Sequence, residues 1–597
     1  TMTFLQFEAL NMKRIQTELS VSYIDHNTLQ IGYENADDHL YLKTAASKYG
    51  VVFSSAGNGI CHQVHLERFA VPGKTLLGSD SHTPTAGGIG SLAIGAGGLD
   101  VALVMAGKPF YLTAPKVINI QLEGTLKSHA TAKDIILYIL RILTTKGNVG
   151  YAIEYSGEAL KYLTVPMRAT ITNMGAELGV TTSIFPSDEV TKNFLKKQKR
   201  ENNWQELVSD KDAKYEKTIK IDLDEIESLA ACPHSPDNID SVKNLKGKKV
   251  DQVCIGSCTN SSYEDLMTVA GILKGSKVKT ELIIAPGSRQ VFEMISENGA
   301  LSELIKTGAR IVESACGFCI GSGHSPKSGA VSLRTSNRNF FGRSGTDNAE
   351  VYLVSPVVAA LAALNGEITD PKEKSIPIVS SPENYYIDDT VFEQPEFKTQ
   401  VIKGPNIKSL PRLKELKDVI DGTATIKVGE KITTDHIMPA GHRLKFRSNI
   451  EKYSTFVFEN IDPEFSKRAA RNRDNNIANF IIADASYGQG SSREHAALCP
   501  AYLGVKAVIA KSIERIHKQN LINFGILPLL FEDETDYHKI GEGDKLEING
   551  IKELLLTNKQ LILENISKQL SIRLRYDLSS NDRKILLKGG KLNYYGL

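Results

Sequence analysis

The chain has 597 residues, 41% of them hydrophobic and 23% charged, with a formal net charge of +2 at pH 7. This length exceeds what one core can organise and argues for about four domains of ordinary globular composition. Near-neutral charge removes the electrostatic case for nucleic acid as a main partner, and no apolar run approaches the roughly 18 residues that cross a bilayer.

Seven cysteines at uneven spacing do not make a disulfide framework and fit a reducing, cytoplasmic setting. The opening Thr1-Met2-Thr3-Phe4 reads neither as a signal peptide nor as a natural start, so a truncated N-terminal edge is expected. From Val51 to about Pro115, short apolar runs alternate with glycine-rich turns. Thr75-Leu76-Leu77-Gly78 reads as a buried strand that delivers Ser79-Asp80-Ser81-His82-Thr83-Pro84 to its C-terminal end, where open α/β sheets bind ligands. Gly88-Ile89-Gly90-Ser91-Leu92-Ala93 spells G-x-G-x-x-A without a preceding strand, which favours close packing over dinucleotide binding.

Thr131 to Lys146 predicts an amphipathic helix, with Thr131 and Asp134 as its cap, Ile135, Ile139, Ile142 and Leu143 as its stripe, and Gly147 as its end. Charges crowd without period between Lys192 and Lys217, as on a solvated surface. Strands are predicted at Asp251–Ile255, Glu281–Ala285 and Ala309–Glu313. After Gly366 the periodicity dissolves among six prolines, and a strand at Asn479–Ala483 then leads into Ser486-Tyr487-Gly488-Gln489-Gly490-Ser491-Ser492-Arg493-Glu494-His495. The expected architecture is α/β throughout: regions at 1–115, 116–235 and 236–370, a linker at 371–411, and a C-terminal α/β domain at 412–597.

The chemistry-bearing residues centre on Cys316-Gly317-Phe318-Cys319, with Cys258 far upstream in Gly256-Ser257-Cys258-Thr259-Asn260. A zinc clip is one reading, but it calls for a second nearby pair. Three cysteines flanked by glycines favour an iron–sulfur cluster with one corner lacking a protein ligand, which makes it a Lewis acid. Cys61, Cys232, Cys254 and Cys499 read as buried small hydrophobes. Acid–base candidates are Asp25-His26, His62, Asp80 with His82, Glu177, and Asp435-His436. Ser491 and Glu494 match an S-x-x-E capping box; the functional alternative is a helix N-terminus that stabilises an alkoxide or a bound carboxylate, with Arg493 beside it. Arg338, Arg343 and Arg447 read singly as surface residues and together as a receptor for several carboxylates.

Five of these segments, Gly78–Pro84, Gly256–Ser261, Ala315–Gly321, Asn337–Phe340 and Gly490–His495, resemble in order the signatures of the aconitase family, and the likeness covers nearly the whole chain. The resemblance implies three α/β domains around a 4Fe–4S cluster and a swivelling fourth domain joined through the linker. It implies reversible conversion of citrate to isocitrate through cis-aconitate by a monomer acting on a small tricarboxylic acid. Cys258, Cys316 and Cys319 would ligate the cluster, with Asn173 and Asn337 around it. Ser491 would be the base. Asp25, His26, His62, Asp80, His82 and Glu177 would carry the proton to the departing hydroxyl, with Asp435 in support. Ser81, Arg338, Arg343, Arg447, Ser492 and Arg493 would hold carboxylates, together with a glutamine that family members carry upstream of the segment like Thr1–Phe7. Alternatives are a homoaconitase, an isopropylmalate isomerase, and RNA binding by cluster-free protein.

Overall fold

The computed structural model describes residues 1–439 and 441–596. It shows a mixed α/β architecture of several domains with a separate C-terminal one. A three-stranded sheet joins Val21–Tyr23, Val52–Ser54 and Phe392–Glu393, and a parallel pair joins Thr75–Gly78 to Leu92–Gly95. A four-stranded parallel sheet follows in the order Ser183–Ile184, Tyr151–Ser156, Lys116–Glu123, Lys217–Asp222. The largest open sheet has seven strands, and Gln252–Ile255 lies between Val331–Arg334 and Glu281–Ile284 within it. Both faces of that strand are covered, so it reads as a continuous buried run rather than an alternating one.

The C-terminal domain is a closed barrel built from Ile420–Val428, Ala478–Ala483, Val505–Ala510, Leu527–Phe531 and three further strands up to Arg575. Between residues 371 and 411 the chain forms only two single 3₁₀ turns and the two-residue strand Phe392–Glu393, which pairs antiparallel with Val52–Ser54. This stretch is therefore tied to the first sheet along part of its length.

The predicted helix is present as Ala132–Leu143, and Thr131 and Asp134 form a reciprocal capping box. Its end differs. The helix stops four residues before Gly147, and Ile142 is 42% exposed while Ile135, Ile136, Ile139 and Leu140 are buried. The strand Thr75–Gly78 is less buried than predicted, with Thr75 exposed. The glycines of the G-x-G-x-x-A stretch serve packing. A Cβ on Gly88 would meet the backbone of Ala169 at 2.7 Å, on the helix Val165–Gly175.

Candidate active site

Register explains how the thiol pocket forms. Gln252, Val253 and Cys254 pair in parallel with Ser332, Leu333 and Arg334, so the two chains leave the sheet side by side. The Gly256 N–H donates to Thr335 Oγ1 at 2.9 Å, and Thr335 Oγ1 donates back to the Gly256 carbonyl at 3.0 Å. Gly256 is required there: its φ is +136° and a Cβ would lie 2.4 Å from the Ala285 carbonyl oxygen. Ser257 follows at φ +69°, a sparsely populated conformation that turns Cys258 inward. Two residues beyond Thr335, Asn337 Nδ2 donates to Cys258 Sγ at 3.2 Å and to Asn173 Oδ1 at 3.1 Å.

The other two thiols come from the turn around Phe318–Ile320. The Cys316 thiol neighbours those of Cys258 and Cys319, Cys319 Sγ donates to Asn337 Oδ1 at 3.6 Å, and Arg343 Nη2 donates to Cys319 Sγ at 3.7 Å. All three cysteines are buried. The neighbouring Cys316 thiol, helped against burial by His82 and His62, draws the Cys258 thiol down to about 6. Cys319 is held well below its ordinary value by Cys316 and then Arg343, while Cys316 is pushed up. Three converging sulfurs, two of them biased to thiolate, make a soft donor set suited to an iron–sulfur group.

A second network faces this pocket. Asp25 accepts from the Cys316 N–H at 2.7 Å and the Cys61 N–H at 3.2 Å. His26 lies 3.7 Å from Asp25 and 3.6 Å from Asp80. His62 Nε2 and Asp80 Oδ1 are 2.8 Å apart, and so are His82 Nε2 and Glu177 Oε1. Arg338 Nε donates to Glu177 and its Nη2 donates to Ser81 Oγ at 2.9 Å. Burial and Arg338 oppose a charged His82, but the Cys258 thiolate, Asp80 and Glu177 outweigh them and lift it to about 9. Burial would raise Asp80, yet hydrogen bonds from His62 and His82 hold it well below the usual range. His62, Asp80 and His82 also bring one ligand atom each within 4.8 Å of the others. That nitrogen–oxygen set is distinct from the sulfur set expected to hold metal, and its atoms already partner one another.

The third part lies in the C-terminal domain. Asp435 pairs with Arg343 at 2.6 Å and with Arg493 at 2.8 Å, and the two guanidiniums overcome burial to hold its carboxyl far below the usual range. Arg343 thus spans Cys319 and Asp435. Ser491 Oγ and Thr434 Oγ1 are 3.0 Å apart, and Ser492 Oγ donates to the Ser79 carbonyl at 2.8 Å. Arg447 stands apart from these pairs. Its Nε lies 3.7 Å from buried Asp38, and it lines a small pocket with His26, Ile320 and Ser322. A second cleft reaches Ser81 and Glu177 from the side of Gly490 and Arg515.

Two sequence readings are corrected here. The Ser491–Glu494 capping box does not form: the helix is His495–Tyr502, and the Glu494 carboxylate instead accepts from Gln6 Nε2 and the Leu99 N–H, both at 3.0 Å. Ser491 therefore has a hydroxyl neighbour rather than helix amides beside it. Cys61 and Cys232, expected to be buried, are only partly so, while Cys254 and Cys499 are buried. Sequence reasoning also missed Thr434, although it stands one residue before Asp435.

The aconitase family (aconitate hydratase) model matches residues 5–247 and 238–366, and the aconitase C-terminal domain matches 427–534. The chain is 36% identical to a probable mitochondrial aconitate hydratase of Dictyostelium discoideum, over 94% of this chain and 82% of that protein. It is 37% identical to one of Caenorhabditis elegans, over 86% and 74%, and 33% identical to a mitochondrial homocitrate dehydratase of Saccharomyces cerevisiae, over 93% and 80%. These relatives are named as mitochondrial proteins, which overturns the cytoplasmic expectation. Seven free thiols do not say which compartment holds the chain. No described helix is long and apolar enough to cross a membrane. With both family signatures matched across most of its length, and with relatives like these, the chain belongs to the aconitase family.

Proposed function

We propose that this hydro-lyase of the aconitase family is an aconitate hydratase, interconverting citrate and isocitrate through cis-aconitate. Cys258, Cys316 and Cys319 would hold a 4Fe–4S cluster, and the single observation that carries the reading is the convergence of these thiols opposite the Asp80–His82–Glu177 network. When bound, such a cluster would supply Lewis-acid chemistry that makes hydroxide a viable leaving group.

The rest falls to side chains. Ser491 removes the proton beside a carboxylate, with Thr434 ready to take up the hydrogen bond. His82, kept protonated by Glu177 and Asp80, donates toward the departing hydroxyl, and His62, His26 and Asp25 complete the path. Arg338, Arg343, Arg447 and Arg493, with Ser81 and Ser492, receive carboxylates; Asp435 holds two of these guanidiniums in place until substrate competes for them. Asn173 and Asn337 orient the sulfur ligands.

A homocitrate-type substrate is the second reading, favoured by the likeness to the yeast homocitrate dehydratase. Anaerobic reconstitution with iron and sulfide, followed by assay on citrate, isocitrate, cis-aconitate, homoaconitate and isopropylmalate, decides between them. Turnover of citrate and isocitrate above the others is expected, and preference for homoaconitate or isopropylmalate overturns it.

A further inference from the structure

Lys133 breaks two local rules. It is the second residue of the helix Ala132–Leu143, where a cation faces the positive end of the helix dipole. Its side chain is also fully buried, at 0% exposure, which costs a lysine its charge unless a partner compensates it. The adjacent carboxylate, Asp134, does not supply an ion pair: its oxygens accept from the Thr131 N–H and hydroxyl and from the Leu229 N–H. Such breaches of local consistency collect at functional sites.

What Lys133 does touch is informative. Its Nζ donates to the carbonyls of Thr335 at 2.9 Å and Ser336 at 2.6 Å. Thr335 is the residue locked to Gly256, two positions before Cys258, and the next two residues are Asn337 and Arg338. Asn337 bonds Cys258, and Arg338 bonds Glu177 and Ser81. Burial draws the ammonium down from 10.5 to about 7, and Asp134 leads the charges that oppose the fall.

We propose that Lys133 is a positioning residue: it clamps the Thr335–Ser336 main chain that aims Asn337 and Arg338. This rests on the cluster reading above. Lys133→Met removes the donors, whereas Lys133→Gln keeps donors for the carbonyls.

The test compares wild type and both variants after reconstitution, by far-UV spectrum, iron and sulfide content and steady-state kinetics. Turnover falls at least about tenfold further in Lys133→Met than in Lys133→Gln, because only the former frees the main chain, and KM for isocitrate rises with it as Arg338 loses its aim. Iron and sulfide uptake falls in Lys133→Met and recovers in Lys133→Gln, where Asn337 is still held. Should Lys133→Met fail to fold, Lys133→Gln carries the test: folded and loaded, it keeps turnover within about tenfold of wild type, and a larger loss overturns the inference. A folded, loaded Lys133→Met with turnover and KM within about twofold of wild type overturns it too, as a space-filling lysine would give. A wild-type protein that takes up no iron and sulfide sinks the cluster reading and this inference with it; a loaded wild type beside unaltered variants sinks this inference alone.

Discussion

Cys258 and Asn337 meet because their strands are neighbours in one parallel sheet, so the register that pairs Cys254 with Arg334 carries both loops to the same place. Ser491 is seated differently. Its loop leaves the C-terminal barrel and is anchored across a seam, where Glu494 binds Gln6 and the first turn of the helix Gly98–Met105, and Ser492 binds Ser79. Behind it Asn523 and Lys591 hold Asp100 of that helix. One half of the site is fixed by backbone pairing within a sheet, the other by side chains between domains. The first is exposed to change at its thiols and at the buried Lys133 that holds Thr335 and Ser336, and the second offers many places where one change alters alignment.

The largest expected effect breaks the sheet-built half at its centre. In Cys316→Ser the bridging thiol is lost, and iron and sulfide uptake and citrate turnover should both fall to background in a metal analysis run beside the assay. Turnover at wild-type level with full iron content would remove Cys316 from the pocket. Next comes Ser491→Ala, which leaves the thiols untouched: iron content should be retained while kcat drops by about 10³–10⁴-fold. A rate within tenfold of wild type would show that the seam-held loop does not supply the base. His82→Gln should cost less, about 10²-fold in kcat, because His62 and Asp80 still border the path. Single-turnover dehydration of isocitrate measures this step without product release.

The two halves also differ in how far the sequence disclosed them. Strand-end positions were readable, because a buried apolar run such as Gln252–Ile255 announces a parallel strand and the polar residues after it are then suspect. Lys133 was not readable. A lysine between the apolar positions of an amphipathic helix has the pattern of a surface residue, and only the three-dimensional approach of Thr335 and Ser336 shows otherwise. The false capping box at Ser491–Glu494 failed for a related reason. Local spacing matched a helix start, but partners nearly 400 and 500 residues away in sequence, Leu99 and Gln6, took the carboxylate. Contacts between domains leave no periodic trace in either segment.

Glu494 gives the smallest and most specific way to sharpen the contrast. Burial raises its carboxyl to about 7, against hydrogen bonds from Gln6 and the Leu99 N–H, with Asp100 adding to the rise. The folded protein therefore holds a proton that the unfolded chain, with an ordinary value of 4.5, releases earlier. Stability from this group is full below about 4.5 and is lost as pH rises through about 7. At about 1.4 kcal/mol per pH unit the interval amounts to about 3 kcal/mol at most. Glu494→Gln, which cannot ionise, should lack this slope: urea unfolding between pH 5 and 8 should show wild type losing stability that the variant keeps, with iron content equal in both. Parallel curves would mean that the seam carries no titrating carboxyl and that Ser491 is held by packing alone.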